Sequence, residues 1–167
     1  SAVHGGWIFI SENAAATFSN ALITGNYQSP ENPDNPIFNF DGYGAIEANG
    51  SNILVDRCTI ANNQSTGILL RNGSNMTLSN SIYWFNESIV LDNELLDTIN
   101  ISYSNIENGI EGLGNINSNP LFCNISLEDY TLAINSPCIG TGQNNSNLGA
   151  LGVGCEQSNS HWNFSIT

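Results

Sequence analysis

Apolar residues in this chain come in short alternating runs, such as Ile53-Leu54-Val55 and Met76-Thr77-Leu78, broken by clusters of Asn, Gly and Ser. A period of two is the mark of strands, and no stretch sustains a helical period. The runs also return at a fixed distance. Asn49-Gly50-Ser51-Asn52 recurs 23 residues later as Asn72-Gly73-Ser74-Asn75, and in that register the apolar positions fall into columns. These are Ile46 with Leu69; Ile53 with Met76 and Ile99; Val55 with Leu78 and Ile101; and Ile60 with Tyr83 and Ile106. Cys58, Ser81 and Ser104 make a column of small residues, and Asn63 matches Asn86.

A shift of 37 adds a first coil, with Phe9 under Ile46, Ala16 under Ile53, Phe18 under Val55, Ala21 under Cys58, Ile23 under Ile60 and Asn26 under Asn63. The surplus is expected as a loop at residues 27–43, which holds three of the five prolines, because proline cannot donate to a strand ladder. The register is expected to falter only at Leu91 to Leu96, where Asp92 enters an apolar column and an irregular turn or one-residue slip should occur.

Short strands that recur every coil bury their inner faces only by stacking on the next coil. The expected fold is therefore all-β, a right-handed parallel β-helix of about four to five coils. Ile53, Val55, Met76, Leu78, Ile99 and Ile101 should face inward, and Leu54 and Thr77 outward. One domain is expected over residues 1–155, followed by an extended segment at 156–167.

Fifteen carboxylates stand against two arginines, Arg57 and Arg71, with no lysine, for a net charge of −13. Nucleic acid and anionic membranes, which are bound through clustered Lys and Arg, are thereby poor partners. No apolar run reaches the length of a membrane-spanning helix, so membrane insertion is not expected. Ser1 opens without the basic and apolar regions of a signal peptide, which suggests a processed or excised chain. Four cysteines, three in the last third, point to an oxidising compartment, extracellular or at the cell surface, with one disulfide among Cys123, Cys138 and Cys155. Cys138 to Cys155 is the preferred pairing, closing the final loop over the top coil. Cys58 is expected as a buried thiol within an inward column.

The C-terminal run Asn119-Pro120-Leu121-Phe122-Cys123, then Asp129-Tyr130-Thr131-Leu132, Ser136-Pro137-Cys138 and Leu148-Gly149-Ala150-Leu151-Gly152-Val153-Gly154-Cys155, resembles the closing segment of secreted β-helix proteins of the pectate-lyase-like superfamily. With the coils before it, the resemblance spans residues ~6 to 155. It implies the fold and says little of activity, since that superfamily holds lyases, hydrolases and adhesins. Its lyases pair an Arg or Lys base with carboxylate-bound calcium, and here Arg57 and Arg71 lie in different columns, Arg71 beside Glu94 of the next coil. Its hydrolases use clustered Asp with a His, and here His4 and His161 lie near the termini. The expectation is therefore a domain without catalytic or metal-binding residues. Calcium is the one cofactor that the oxygen groups of Glu31, Asp34 and Asp41, or of Asp92, Glu94 and Asp97, would suit, although no calcium-loop spacing is present.

Nine asparagines sit in Asn-X-Ser/Thr sequons: Asn49, Asn63, Asn72, Asn75, Asn86, Asn100, Asn124, Asn144 and Asn163. At Asn26, Asn63 and Asn86 a stacked amide ladder competes with glycosylation; Asn49 and Asn72 are expected at exposed turns. The functional expectation is an extracellular structural module that assembles head to tail with copies of itself. Its interface is expected between the first coil at Trp7, Ile8, Phe9 and Ile10 and a C-terminal strand carrying Trp162, Phe164 and Ile166. A glycan-binding or carbohydrate-active fragment of a larger secreted protein is the alternative.

Overall fold

The computed structural model describes residues 8–11, 13–26, 44–63, 66–93 and 96–156. Three parallel sheets run the length of a right-handed β-helix. Sheet 1 contains β1 (Ile8–Ile10), β4 (Gly44–Asn49), β7 (Thr66–Arg71) and β10 (Ile89–Leu91). Sheet 2 contains β2 (Ala15–Ser19), β5 (Asn52–Asp56), β8 (Asn75–Ser79) and β11 (Thr98–Ser102). Sheet 3 contains β3 (Leu22–Thr24), β6 (Thr59–Ala61), β9 (Ile82–Trp84) and β12 (Asn105–Ile106). Four coils therefore stack, within the expected range.

Sheets 2 and 3 follow the 23-residue step. Ile53 pairs with Met76 and Met76 with Ile99, while Ile60 pairs with Tyr83 and Tyr83 with Ile106. The first coil enters with the shift of 37, Ala16 on Ile53 and Ile23 on Ile60, so the insertion lies between Asn26 and Gly44. Ile53, Val55, Met76, Leu78 and Ile101 are buried inside, Ile99 is half-buried, and Leu54 and Thr77 face solvent. Each bend from sheet 2 to sheet 3 turns on one residue of positive φ: Asn20, Arg57, Asn80 and Tyr103. Repeating that turn coil after coil is what keeps these two sheets in step.

Sheet 1 departs from the expected register. Ile46 pairs with Ile68 rather than Leu69, Ile8 rather than Phe9 lies under Ile46, and Ile68 pairs with Ile89. The cause is the corner from sheet 1 to sheet 2, whose length changes from coil to coil: four residues separate β1 from β2, two separate β4 from β5, three separate β7 from β8, and six separate β10 from β11. The third coil spends its extra residue on Asn72 and Gly73, both at positive φ. Sheet 1 slides to compensate, and a slip of one residue exchanges the two faces of a strand. Phe9 thus points outward and is 49% exposed, while Leu69 points outward yet is buried. The irregular turn expected at Leu91 to Leu96 is present: the N–H groups of Leu96 and Asp97 both donate to the Asn93 carbonyl.

Beyond the coils, β13 (Phe122–Asn124), β14 (Asp129–Ala133) and β15 (Val153–Cys155) form a fourth sheet, antiparallel between β13 and β14 and parallel between β14 and β15. This segment does not close the top coil. It packs on the outer face of sheet 3, where Ala61, Ile82 and Trp84 form a second core with Phe122, Tyr130, Leu132 and Leu148. Gly149 marks the closest approach. A Cβ there would lie 2.7 Å from Thr59 Oγ1 and 2.8 Å from Ile82 Cδ1, and its φ of +83° suits glycine.

The disulfide joins Cys123 to Cys155 at a Cα separation of 5.9 Å, not Cys138 to Cys155. The N–H of Ala133 donates to the Leu121 carbonyl and that of Ile134 to the Cys155 carbonyl, so β14 draws both segments to one place. Cys138 is a free buried thiol in the second core, where Asn105 Nδ2 donates to its Sγ at 3.1 Å. Cys58 is the buried thiol its column implied.

Candidate functional surface

Each corner of the coil carries a polar ladder. From sheet 3 to sheet 1, Asn63 Oδ1 accepts from the backbone N–H and the Nδ2 of Asn26, and Asn86 Oδ1 does the same for Asn63. From sheet 2 to sheet 3, Ser81 Oγ accepts from the Cys58 N–H, Ser104 Oγ from the Ser81 N–H, and Asn115 Oδ1 from the Ser104 N–H. From sheet 1 to sheet 2, Ser74 Oγ accepts from the Ser51 N–H and Asp97 Oδ1 from the Ser74 N–H. The polarity is common to all three: the side chain of one coil satisfies the corner N–H of the coil below. Each such bond is worth about 1 kcal/mol, and leaving the buried N–H unpaired costs about 1–3 kcal/mol.

The Asn ladder was legible in the spacing, but Asp97 was not. It is buried at 2% exposure and takes the N–H groups of Gly73, Ser74 and Asn93, so it ends a ladder rather than joining a solvated or calcium-binding cluster with Asp92. The clue was its place 23 residues after Ser74. Arg57 pairs with its neighbour Asp56 at 2.9 Å. Burial pushes the Asp56 carboxyl up, but hydrogen bonds from Asn80, Ser79 and Arg57 outweigh it and hold the group below its ordinary value. Arg71 bridges two coils, with Glu47 and Asp92 each at 3.2 Å; the expected partner Glu94 lies outside the described residues. Burial raises the Glu47 pKa, and Arg71 only partly opposes it. Both arginines are thus held in ion pairs. No group of three or more His, Cys, Asp or Glu positioned for a metal ion occurs among the described residues. The loop at 27–43, with Glu31, Asp34 and Asp41, lies outside them, as do His4, His161, Trp7, Asn163, Trp162, Phe164 and Ile166.

Sheet 1 is largely buried on both faces and sheet 3 is covered by the C-terminal segment, so sheet 2 shows its outer face to solvent. That face displays Thr17, Leu54, Thr77 and Asn100 down its centre and Asn52, Asn75 and Thr98 beside them. The two ends of the stack differ. At the top, residues 113–116 pair onto β12 and the turn before it, through Tyr103 N–H to Leu113, Ile106 N–H to Ile116 and Ile116 N–H to Ser104. At the bottom, Asn52 N–H donates to the Ala14 carbonyl, which fixes the phase of β2: the N–H and C=O groups of Ala15, Thr17 and Ser19 point away from β5. No strand lies beneath them among the described residues, and the inward side chains Ala16 and Phe18 are only half-buried.

Comparison with protein-family models, curated proteins and solved structures finds no match. No helix among the described residues is long and apolar enough to cross a membrane.

Proposed function

We propose that this chain is a structural module of an extracellular surface, akin in architecture to the secreted pectate-lyase-like β-helices, and that it associates end to end by strand addition under its first coil. The observation that carries the reading is the lower edge of β2, where the backbone groups of three residues have no partner among the described residues, beside the half-covered Ala16 and Phe18. Such an edge is a template for an added strand. An extended strand fits it better than a further coil. A coil beneath would direct the N–H groups of two of its three corners at Ala14 and Ala21, which stand where Ser51 and Cys58 stand one coil up and offer no side-chain acceptor.

The proposed donor is the alternating segment Trp162-Asn163-Phe164-Ser165-Ile166 of a second copy. Such a head-to-tail contact does not close on itself and grows into a filament, while the charge of −13 opposes lateral bundling. The disulfide supports the extracellular setting. Light scattering over a concentration series tests the association: mass should rise with concentration for the full chain and stay monomeric for a chain lacking residues 160–167 and for Thr17→Pro. That proline removes an N–H which β5 does not use. A full chain that stays monomeric, or variants that still assemble, would contradict the proposal.

A second reading, a glycan-binding fragment, is favoured by an open groove of about 370 Å³ lined by Phe9, Ser11, Asn13, Asn49 and Gly50. An aromatic ring among amides and hydroxyls is suitable chemistry for a neutral sugar. Titration with neutral oligosaccharides, with Phe9→Ala as the control, separates this reading from the first.

A further inference from the structure

We infer that, of the nine sequons, Asn100 and Asn144 are acceptors for an N-linked glycan while Asn63 and Asn86 are purely structural amides. N-glycosylation uses the side-chain amide nitrogen as nucleophile. Nδ2 forms a bond to the anomeric carbon of a lipid diphosphate-linked oligosaccharide, the anomeric C–O bond breaks, the lipid diphosphate leaves and Nδ2 gives up one proton. The amide nitrogen must therefore be reachable, and the folded chain must have room for a sugar attached to it.

Asn63 meets neither condition. It is 2% exposed, and its Nδ2 donates to the Ile23 carbonyl at 3.2 Å and to Asn86 Oδ1 at 2.8 Å. Asn86 Nδ2 donates to the Ile60 and Trp84 carbonyls. A glycan on either nitrogen would displace a rung of the ladder, so a chain modified there cannot reach this fold. Asn100 and Asn144 are exposed, and neither side-chain amide has a hydrogen-bond partner among the described residues. Asn100 lies within β11, where alternation carries its side chain and that of Ser102 to the same outer face of sheet 2. Asn144 sits in the Gln143–Asn145 turn of the C-terminal segment at positive φ. Glycans at these two positions would stand clear of the lower edge of the first coil.

The test is expression of the full chain through a eukaryotic secretory pathway, which supplies the lipid-linked donor, with glycopeptide mass spectrometry of the secreted protein. Occupancy is expected at Asn100 and Asn144 and none at Asn63 or Asn86. Ser65→Ala and Ser88→Ala remove the two ladder sequons without touching the ladder asparagines, and should leave the glycan pattern unchanged and the secreted yield equal or higher. Asn100→Gln should remove one glycan and leave the unfolding midpoint in place, whereas Asn63→Gln should lower the secreted yield several-fold. A glycan found on Asn63 or Asn86 in secreted protein, or bare Asn100 and Asn144, would overturn the assignment.

Discussion

The first coil and the coils above it share one strand plan and differ at their corners. Ser51 and Cys58 stand where the first coil has Ala14 and Ala21, and Ser74 and Ser81 follow on the third coil; only Asn26 keeps the pattern of Asn63 and Asn86. Because each ladder satisfies the coil beneath, an inner coil without its polar corner residues would strand buried N–H groups, whereas no strand among the described residues lies below the first coil to be satisfied. Alanine there costs nothing. The difference teaches that the ladders have a direction and a starting layer, and that what joins the open edge need not be another coil.

Breaking a ladder in its middle gives the largest effect. Asn63→Ala removes the side-chain acceptor of the Asn26 N–H and Nδ2 and the amide donor to the Ile23 carbonyl and Asn86 Oδ1 in a buried corner, and should cost about 3–5 kcal/mol in denaturant unfolding, enough to prevent folding in a marginal chain. Removing the disulfide by Cys123→Ser frees a loop of 32 residues and should cost about 3–4 kcal/mol, lost chiefly where the C-terminal segment covers sheet 3. Ser81→Ala strands the Cys58 N–H and should cost about 1–3 kcal/mol, while Ala21→Ser at the equivalent place in the first coil should change stability by no more than about 0.5 kcal/mol. Equal effects at these two positions would erase the distinction between first and inner coils.

The carboxylates sharpen the picture through pH, with opposite signs. The pKa of Glu47 is raised by burial, so its contribution is full below the ordinary 4.5 and is lost as pH rises through the raised value. That of Asp56 is lowered, so its contribution is present above the ordinary 3.8 and is lost as pH falls through the lowered value. Urea midpoints from acid to neutral pH should therefore fall less on the alkaline side for Glu47→Gln and less on the acid side for Asp56→Asn. The smallest perturbation concerns Cys138, whose thiol burial pushes up to about 11; it should resist alkylation at neutral pH until the chain unfolds.

Two sheets of the helix were legible in the sequence and the third was not, for a reason visible in particular residues. Between sheets 2 and 3 the corner is one tight turn repeated at Asn20, Arg57, Asn80 and Tyr103, so both sheets share one step at each coil, 37 for the first and 23 thereafter, and every column from Ala16 to Ile106 can be mapped. Sheet 1 absorbs the changing length of the next corner, and the apolar Phe9 and Leu69 on its outer face imitate core residues. The Asn ladder could be seen because three asparagines share a column. The hydroxyl ladder ends in Asp97, a residue type that suggests solvent, and only its spacing from Ser74 gave it away. Pairing of Cys123 with Cys155 depends on how β14 draws β13 and β15 together, a long-range arrangement that cysteine spacing alone does not encode.

Hydrogen exchange of individual backbone amides, followed by NMR across a concentration series, bears most directly on the open first coil. The Ser51, Cys58, Asn63, Ser74 and Ser81 amides, each held by a side chain of the coil above, should be protected at every concentration. Those of Ala15, Thr17 and Ser19 should exchange freely in dilute protein and become protected as the chains associate. Protection of these three in the dilute monomer, or their free exchange at concentrations where assemblies are present, would contradict the account.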